Sequence, residues 1–266
     1  MSKAKLDKDK EKEIQIKNSR SALVVQSNSL IRDVRTLRYG LTTQQQRILV
    51  YLISKVGKND QDFKKVRFNI SEYCDVCNLQ KNGTEFERIK ESLKGLRDKS
   101  YWIKNEFGDE ILFAWVDTLI MRKNKSVEVV LSEALKPLLL NLSKSFTAYE
   151  LINALCLRGR YSLRLYELAK SYLWLGKWAI SVEDFRETMY LQQKYPLFKE
   201  LKRNVIDCSI AEINKFCDIN ISYETIKKGR SIDTIVFYIE EKSGIQMTLD
   251  LMLNQEERLA IRGKTK

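Results

Sequence analysis

Two cysteines three residues apart, Cys74 and Cys77, have the C-x-x-C spacing that can hold zinc or cycle a disulfide. A structural zinc takes four Cys or His ligands, and the 266-residue chain has five cysteines and no histidine. The other thiols, Cys156, Cys208 and Cys217, are scattered, so all five are read as reduced, small buried hydrophobes, with no metal and no cofactor expected. The missing histidine also removes triad hydrolases and His general-base chemistry, as well as the paired-histidine metal sites common in rolling-circle nickases and relaxases. Gly57-Lys58 and Gly176-Lys177 both lack the upstream glycine of a phosphate-cradling loop, and no G-x-G-x-x-G occurs. The 35 acidic residues offer chance carboxylate pairs, none of them at the end of a convincing strand. The expectation is a protein without a catalytic site.

The chemistry that remains is that of cations. Lys and Arg outnumber Asp and Glu by 47 to 35, a formal charge of +12, which favours a polyanionic partner, either nucleic acid or an acidic membrane surface. An ordinary basic soluble protein has the same balance. No apolar run approaches the roughly 18–20 residues of a membrane span. The first residues alternate charges with no apolar core of a signal, which places the protein in the cytoplasm.

Cations cluster at particular spacings. Lys199 and Arg203, four apart, share one helical face, with Lys202 between that face and the core. Arg pairs bidentately with guanine, whereas Lys more often holds phosphate. Lys227, Lys228 and Arg230 surround a glycine in a compact basic turn, suited to a phosphate backbone or a minor groove. Lys90, Lys94 and Arg97 form another stripe, but Glu87, Glu91 and Asp98 occupy the next face and would repel phosphate. Lys81 and Asn82 precede that stripe as candidate phosphate contacts. A solvated cationic face is the plainer reading of each group.

The elements that would carry these residues follow from periodicity. Residues 1–24 read as a flexible charged arm. Helices are expected over 27–40, ending at Gly40, and over 41–56, with Thr42 or Thr43 as cap. A strand at 66–70 precedes a helix at 71–79 capped by Ser71, and Phe86, Ile89, Leu93 and Leu96 mark a helix over 83–100. A hairpin spans 101–116 around an acidic turn at 107–109, and a strand at 126–132 runs to a break at Pro137. Helices at 146–157 and 160–173 follow, then a strand at 177–181 and a Ser181-capped helix to 191. A long helix over 195–218 has Phe198, Leu201, Val205 and Cys208 as its apolar row, and a hairpin occupies 219–241.

Each half therefore reads helix, short strand, Ser-capped helix, longer helix, hairpin. This is an α+β pseudo-repeat of two tandem winged-helix domains, 25–140 and 141–243, with a charged tail at 244–266. In such a fold the longer helix enters the major groove, which makes 195–218 the better reader and its hairpin the better wing. The first domain's apolar strand residues, Ile111, Phe113 and Trp115, are suited to extending a sheet across a dimer interface.

Several segments match a known family. LTTQQQRILVYLISKV, FERIKESLKGLRDKSYWI, RGRYSLRLYELAKSYL and FKELKRNVIDCSIAEINKFCDINISYETIKKGR, followed by IDTIVFYI, resemble the iteron-binding plasmid replication initiators (the Rep_3 type) over roughly residues 25–242. RYSLRLYEL and F-K-x-L-K-R-x-V-I-x-x-x-I-x-E-I-N are the specific parts. The resemblance implies two winged-helix domains, with monomers binding directly repeated origin sites in double-stranded DNA and helping to open the duplex. It implies recruitment of the host initiator ATPase and replicative helicase, and a homodimer, joined largely through the first domain, that represses the initiator's own gene. On matched positions it carries the reading role to Lys199, Lys202 and Arg203, and a backbone contact to Arg158 and Arg160. The arm, the 57–65 loop and the tail match poorly and inherit no role. The rival reading is a winged-helix transcriptional regulator without an initiator role; no effector-pocket signature favours it.

Overall fold

The computed structural model describes residues 3–32, 40–57, 65–104, 108–140, 142, 145–191 and 194–243. The chain divides into two compact units, Met1–Leu155 and Cys156–Lys266.

The first unit opens with α1 (Lys3–Arg20), a helix where an arm was expected. Its few apolar residues share no single face, Ile14 and Ile16 standing about 200° apart, so the sequence has no amphipathic signal. It is tied to its own unit by Arg20, which donates to the carbonyls of Val76 (2.9 Å) and Asp75 (3.1 Å), and by a Lys12–Asp75 ion pair of 3.0 Å. Strand β1 (Leu23–Ser27) leads into α2 (Asn28–Arg32), the described start of the helix expected over 27–40; residues 33–39 lie outside the described residues. In α3 (Thr43–Ile53) the cap is Thr42, one of the two expected candidates, and it forms a capping box with Gln45. Strand β2 (Val66–Asn69) leads into α4 (Ile70–Cys77), whose cap is Asn69, accepting from the Ser71 amide at 2.8 Å, rather than Ser71. Helix α5 is Gly83–Asp98, followed by β3 (Ser100–Lys104), β4 (Glu110–Ala114), β5 (Val116–Met121) and β6 (Ser126–Leu131). Pro137 does not break the chain but sits in the first turn of α6 (Lys136–Leu139), where its missing amide costs nothing. Residues 146–150, expected to be helical, form β7 (Phe146–Glu150), antiparallel to β1; α7 (Leu151–Cys156) follows. That pairing puts these residues with the first unit.

The second unit contains α8 (Ser162–Tyr172), β8 (Lys177–Ser181) and α9 (Val182–Thr188), capped by Ser181 as expected. A continuous helix follows, made of α10 (Phe198–Leu201), a π-helical turn (Lys202–Asp207) and α11 (Cys208–Phe216). Pro196 stands just ahead of it. The π turn changes which side faces the core. Leu201, Val205, Ser209 and Ile213 are buried at strict four-residue spacing, and Cys208, expected in the apolar row, is exposed. In an unbroken α-helix such a row would drift by about 40° per step, and the extra residue of the π turn takes up the drift. The hairpin β9 (Ile219–Lys228) and β10 (Ser231–Glu241) is the last element among the described residues.

The sheets reveal the repeat. The second unit orders its strands β8-β10-β9 and the first β2-β6-β5, all antiparallel. In both, the strand before the paired helices joins the last strand of a hairpin, as in a winged helix. The first unit's wing is therefore β5–β6, and the 101–116 hairpin, equated with the wing from sequence, is an additional pair, β3–β4. Each unit packs on aromatic rings: Tyr51 meets Phe68 and Tyr73 edge-on at 5.3 and 5.0 Å, and Trp178 stacks on Phe237 at 5.0 Å and on Tyr172 at 5.3 Å. These contacts fix α3, β2 and α4 in one unit and α8, β8 and β10 in the other. Each fully buried large apolar side chain contributes about 1.5–3 kcal/mol.

Candidate nucleic-acid interface

In the second unit, Arg186 of α9 donates to the carbonyls of Lys194 (2.9 Å) and Pro196 (3.1 Å) and shapes the turn that delivers α10. From that start Lys199, Lys202 and Arg203 all project into solvent. The side chains of Lys199 and Arg203 have no protein partner among the described residues. Lys202 is engaged: its ammonium lies 3.0 Å from Asp207 and 5.5 Å from the Tyr223 ring centre, while the Tyr223 hydroxyl donates to Asp207 at 2.6 Å. Hydrogen bonding to Tyr223 and Asp207 holds the Lys202 ammonium above its usual range, so it stays charged. Lys202 thus braces the helix against the wing, and Lys199 and Arg203 are left to meet a ligand.

Helix and wing enclose an open groove of about 930 Å³, lined among others by Arg186, Lys199, Lys202, Asp207, Tyr223 and Arg230. The wing turns at Gly229, whose φ of 66° suits glycine. Lys227, Lys228 and Arg230 are exposed there, unpaired among the described residues. Strand β8 pairs with β10 only over Thr234–Tyr238, so the basic tip projects beyond the three-stranded sheet.

The Arg158-Gly159-Arg160 turn ahead of α8 is built around a carboxylate. Glu212 of α11 accepts from the amides of Arg158 (2.6 Å) and Gly159 (2.9 Å), and both arginine side chains face solvent. A Cβ on Gly159 would lie 2.2 Å from Ser162 Oγ and 2.7 Å from Glu212 Oε2, so any larger residue must displace these side chains. Arg160 covers the Tyr161 ring at 5.7 Å, and that ring meets Tyr195, next to the start of the reading helix, edge-on at 6.3 Å. Burial pushes the Tyr161 hydroxyl up to about 12, so it stays neutral.

The first unit treats its cations differently. On α5, Lys90 pairs with Glu87 (3.4 Å), Lys94 with Asp98 (3.8 Å), and Arg97 donates to the Asp117 carbonyl (2.9 Å). Lys81 is held by Asp75 at 2.5 Å, and Asn82 caps α5 by accepting from the Glu85 amide at 2.8 Å. None of these five is a free cation or a free polar group in this arrangement. Cys74 and Cys77 are buried in α4, and burial pushes the Cys77 thiol up to about 12, the state of an unreactive core thiol.

Of the residues expected at a dimer interface, Trp115 is fully buried in its own unit, between β4 and β5, and so is not presented to a partner. Ile111 is partly exposed, and the Phe113 side chain lies outside the described residues. What the β3–β4 hairpin does present is the cross-strand pair Trp102 and Leu112, 60% and 52% exposed, on strands that pair with no other among the described residues.

Sequence reasoning misses one basic element. The true first wing turns through Arg122, Lys123, Asn124 and Lys125, all exposed. The signal is present in the run itself, but local pattern alone gives the wing's place to the acidic 107–109 turn.

Two copies of a helix-turn-helix with a hairpin beside it define a tandem winged-helix DNA-binding protein. Residues 23–170 match the model described as "Initiator Replication protein, WH1" and residues 181–239 that described as "Initiator Rep protein, WH2", and the chain belongs to this family of replication initiators. It is 24% identical over 229 residues to a "Replication initiation protein" of Escherichia coli, covering 82% of this chain and 71% of the relative. It is 22% identical over 233 residues to an "Uncharacterized 27.6 kDa protein" of Escherichia coli, covering 80% and 93% respectively. Among solved structures it is similar to domains 2 and 3 of RctB, with a TM-score of 0.44 and 10% identity over 81% of either chain. No helix among the described residues is long and apolar enough to cross a membrane.

Proposed function

We propose that this protein starts plasmid replication by binding directly repeated sites (iterons) at the origin, and that it has no catalytic site and acts in the cytoplasm. Monomers grip double-stranded DNA, with Arg203 and Lys199 of the second unit reading the major groove. Lys227, Lys228 and Arg230 hold phosphate, as do Arg158 and Arg160. The bound protein helps open the duplex and recruits the host initiator ATPase and replicative helicase. A homodimer formed through the β3–β4 hairpin represses the protein's own gene. The observation that carries the reading is the free cationic face of the second reading helix, beside a basic wing, in a chain of the initiator family. The exposed Trp102–Leu112 pair supports the dimer, which Leu112→Asp is expected to dissociate in sedimentation analysis.

The test is a footprint on the DNA flanking the protein's own gene. Protection should recur at direct repeats spaced by about 20 base pairs, two helical turns, beside an A+T-rich stretch. Protection of a single operator without repeats would overturn the initiator reading in favour of a transcriptional regulator. Origin DNA recovered nicked and covalently attached to a tyrosine would overturn the absence of catalysis.

A further inference from the structure

We propose that the β5–β6 turn, Arg122–Lys125, is the phosphate-binding wing of the first unit, and that this unit holds duplex DNA through the wing rather than through its reading helix. The inference rests on the DNA-binding reading above and adds a site to it.

Three observations carry it. The first is placement. The Ile70 amide donates to the Lys125 carbonyl at 3.2 Å, and the Asn69 side chain donates to the Asn124 carbonyl at 3.3 Å, which fastens the turn to the start of α4. The Lys125 ammonium lies 5.2 Å from the ring of Phe86, in the first turn of α5. The turn therefore stands at the leading ends of both helices of the helix-turn-helix, the ends from which such a motif contacts DNA.

The second is the distribution of charge. Glu128, buried beneath the wing, engages Arg67 (2.9 Å), Arg122 (3.4 Å) and Lys65 (3.5 Å). Arg122, though exposed, is thereby paired with an acid, whereas Lys123 and Lys125 face solvent with no carboxylate partner among the described residues. On α5 the order is reversed, since Lys90 and Lys94 are both paired with acids and Arg97 with a carbonyl. A phosphate approaching this unit meets two uncompensated ammonium groups at the wing and a neutralised helix.

The third is that the turn is fixed in shape. Asn124 Oδ1 accepts from the Ser126 amide at 3.1 Å and from its hydroxyl at 2.7 Å, and the Arg122 amide donates to the Ser126 carbonyl at 2.9 Å. Lys125 itself has a φ of 63°, a left-handed conformation in which a long side chain is uncommon. A glycine or asparagine would relieve that backbone, and neither would supply the charge.

The experiment is a salt titration of the full chain binding a duplex that contains no repeats. Lys123→Ala combined with Lys125→Asn removes both charges and keeps a residue that tolerates the left-handed backbone. The slope of log K against log salt should fall in magnitude by about 1.8, near 0.9 for each phosphate no longer neutralised, so the fall in affinity between about 50 and 200 mM salt shrinks about tenfold. Lys90→Ala combined with Lys94→Ala should leave the slope at the wild-type value. An unchanged slope in the wing variant overturns the proposal, and so does a loss confined to repeat-bearing DNA, which would make the turn a base reader. Lys123→Gln alone, which leaves the turn's backbone untouched, should lower the slope by about half as much; if only the double variant responds, a folding defect is the cause and the proposal fails. Because the duplex lacks repeats, the outcome is independent of whether repeats are the physiological site. Wild-type protein that binds repeats no better than this duplex would instead overturn the proposed function.

Discussion

The two wings share a strand order and solve the same problem in opposite ways. The β5–β6 wing is short, braced from beneath by one buried carboxylate, and stitched by its tip to the helix-turn-helix. The β9–β10 wing is long, projects past the strand that should support it, and keeps Lys227, Lys228 and Arg230 free. The reading helices differ in the same sense: α5 answers its cations internally, and α10 leaves Lys199 and Arg203 open. The number of positive residues is a poor guide to where DNA is held. What separates the units is which of those charges the protein has already neutralised.

The sharpest way to break this contrast is on the helices. Arg203→Ala should weaken binding to a repeat-bearing duplex by about 5- to 150-fold, the roughly 1–3 kcal/mol of a bidentate base contact, and barely affect a repeat-free duplex. Lys94→Ala should change neither by more than about twofold, since an exposed i,i+4 pair is worth about 0.3–0.5 kcal/mol. Equal losses on both duplexes for Arg203→Ala would remove the distinction between reader and grip. Next comes Gly159→Ala, which drives a methyl into Ser162 and Glu212 and should lower stability in urea by about 1–3 kcal/mol. Retained stability would mean that the Glu212 anchor is not needed to shape the arginine turn.

Smaller effects should separate the wings. Lys228→Ala should weaken binding to both duplexes alike and lower the salt slope by about 0.9, three- to fourfold in affinity between about 50 and 200 mM salt. The brace under the first wing should appear in the acid limb of stability. The hydrogen bond from Arg67 holds the Glu128 carboxyl below its usual range. A depressed carboxyl contributes stability that is complete above its unfolded value, about 4.3, and is lost as pH falls through the folded value. The melting temperature of the wild type should therefore fall more steeply below about pH 4 than that of Glu128→Gln, which starts lower at neutral pH. Parallel curves would show that the brace carries no net stability.

Much of this architecture is legible in sequence because it is local. The Thr42 capping box, the Ser181 cap, the apolar row of α5 and the hairpin around Gly229 each need only a few neighbouring residues. The failures lie where a partner is distant or the period changes. The strand Phe146–Glu150 runs into a helix and reads as part of it; only its pairing with Leu23–Ser27, more than a hundred residues away, makes it a strand. Two hairpins in succession leave the wing ambiguous, because the pairing of β2 with β6 is what decides it. Alternation along one strand places Trp115 on a surface, and it does not see that the chain turns between β4 and β5 and buries the ring. At the candidate site, the spacing that puts Lys199 and Arg203 on one face is informative. The engagement of Lys202 by Asp207 and Tyr223 is not visible, since Tyr223 comes from another element.

The π turn at Lys202–Asp207 has a bearing on how such a protein could change its preference. It divides the reading helix into an outer segment that carries Lys199 and an inner one locked to the core by Ser209 and Ile213. Deleting one residue between them would restore ordinary helical winding and rotate the outer segment by about 100° relative to the inner one, turning Leu201 out of the core together with the cationic face. The turn acts as an indexing joint: one extra residue lets Leu201 keep its place in the core while Lys199 faces the groove, so the register of the reading face is set by residue count as much as by residue type.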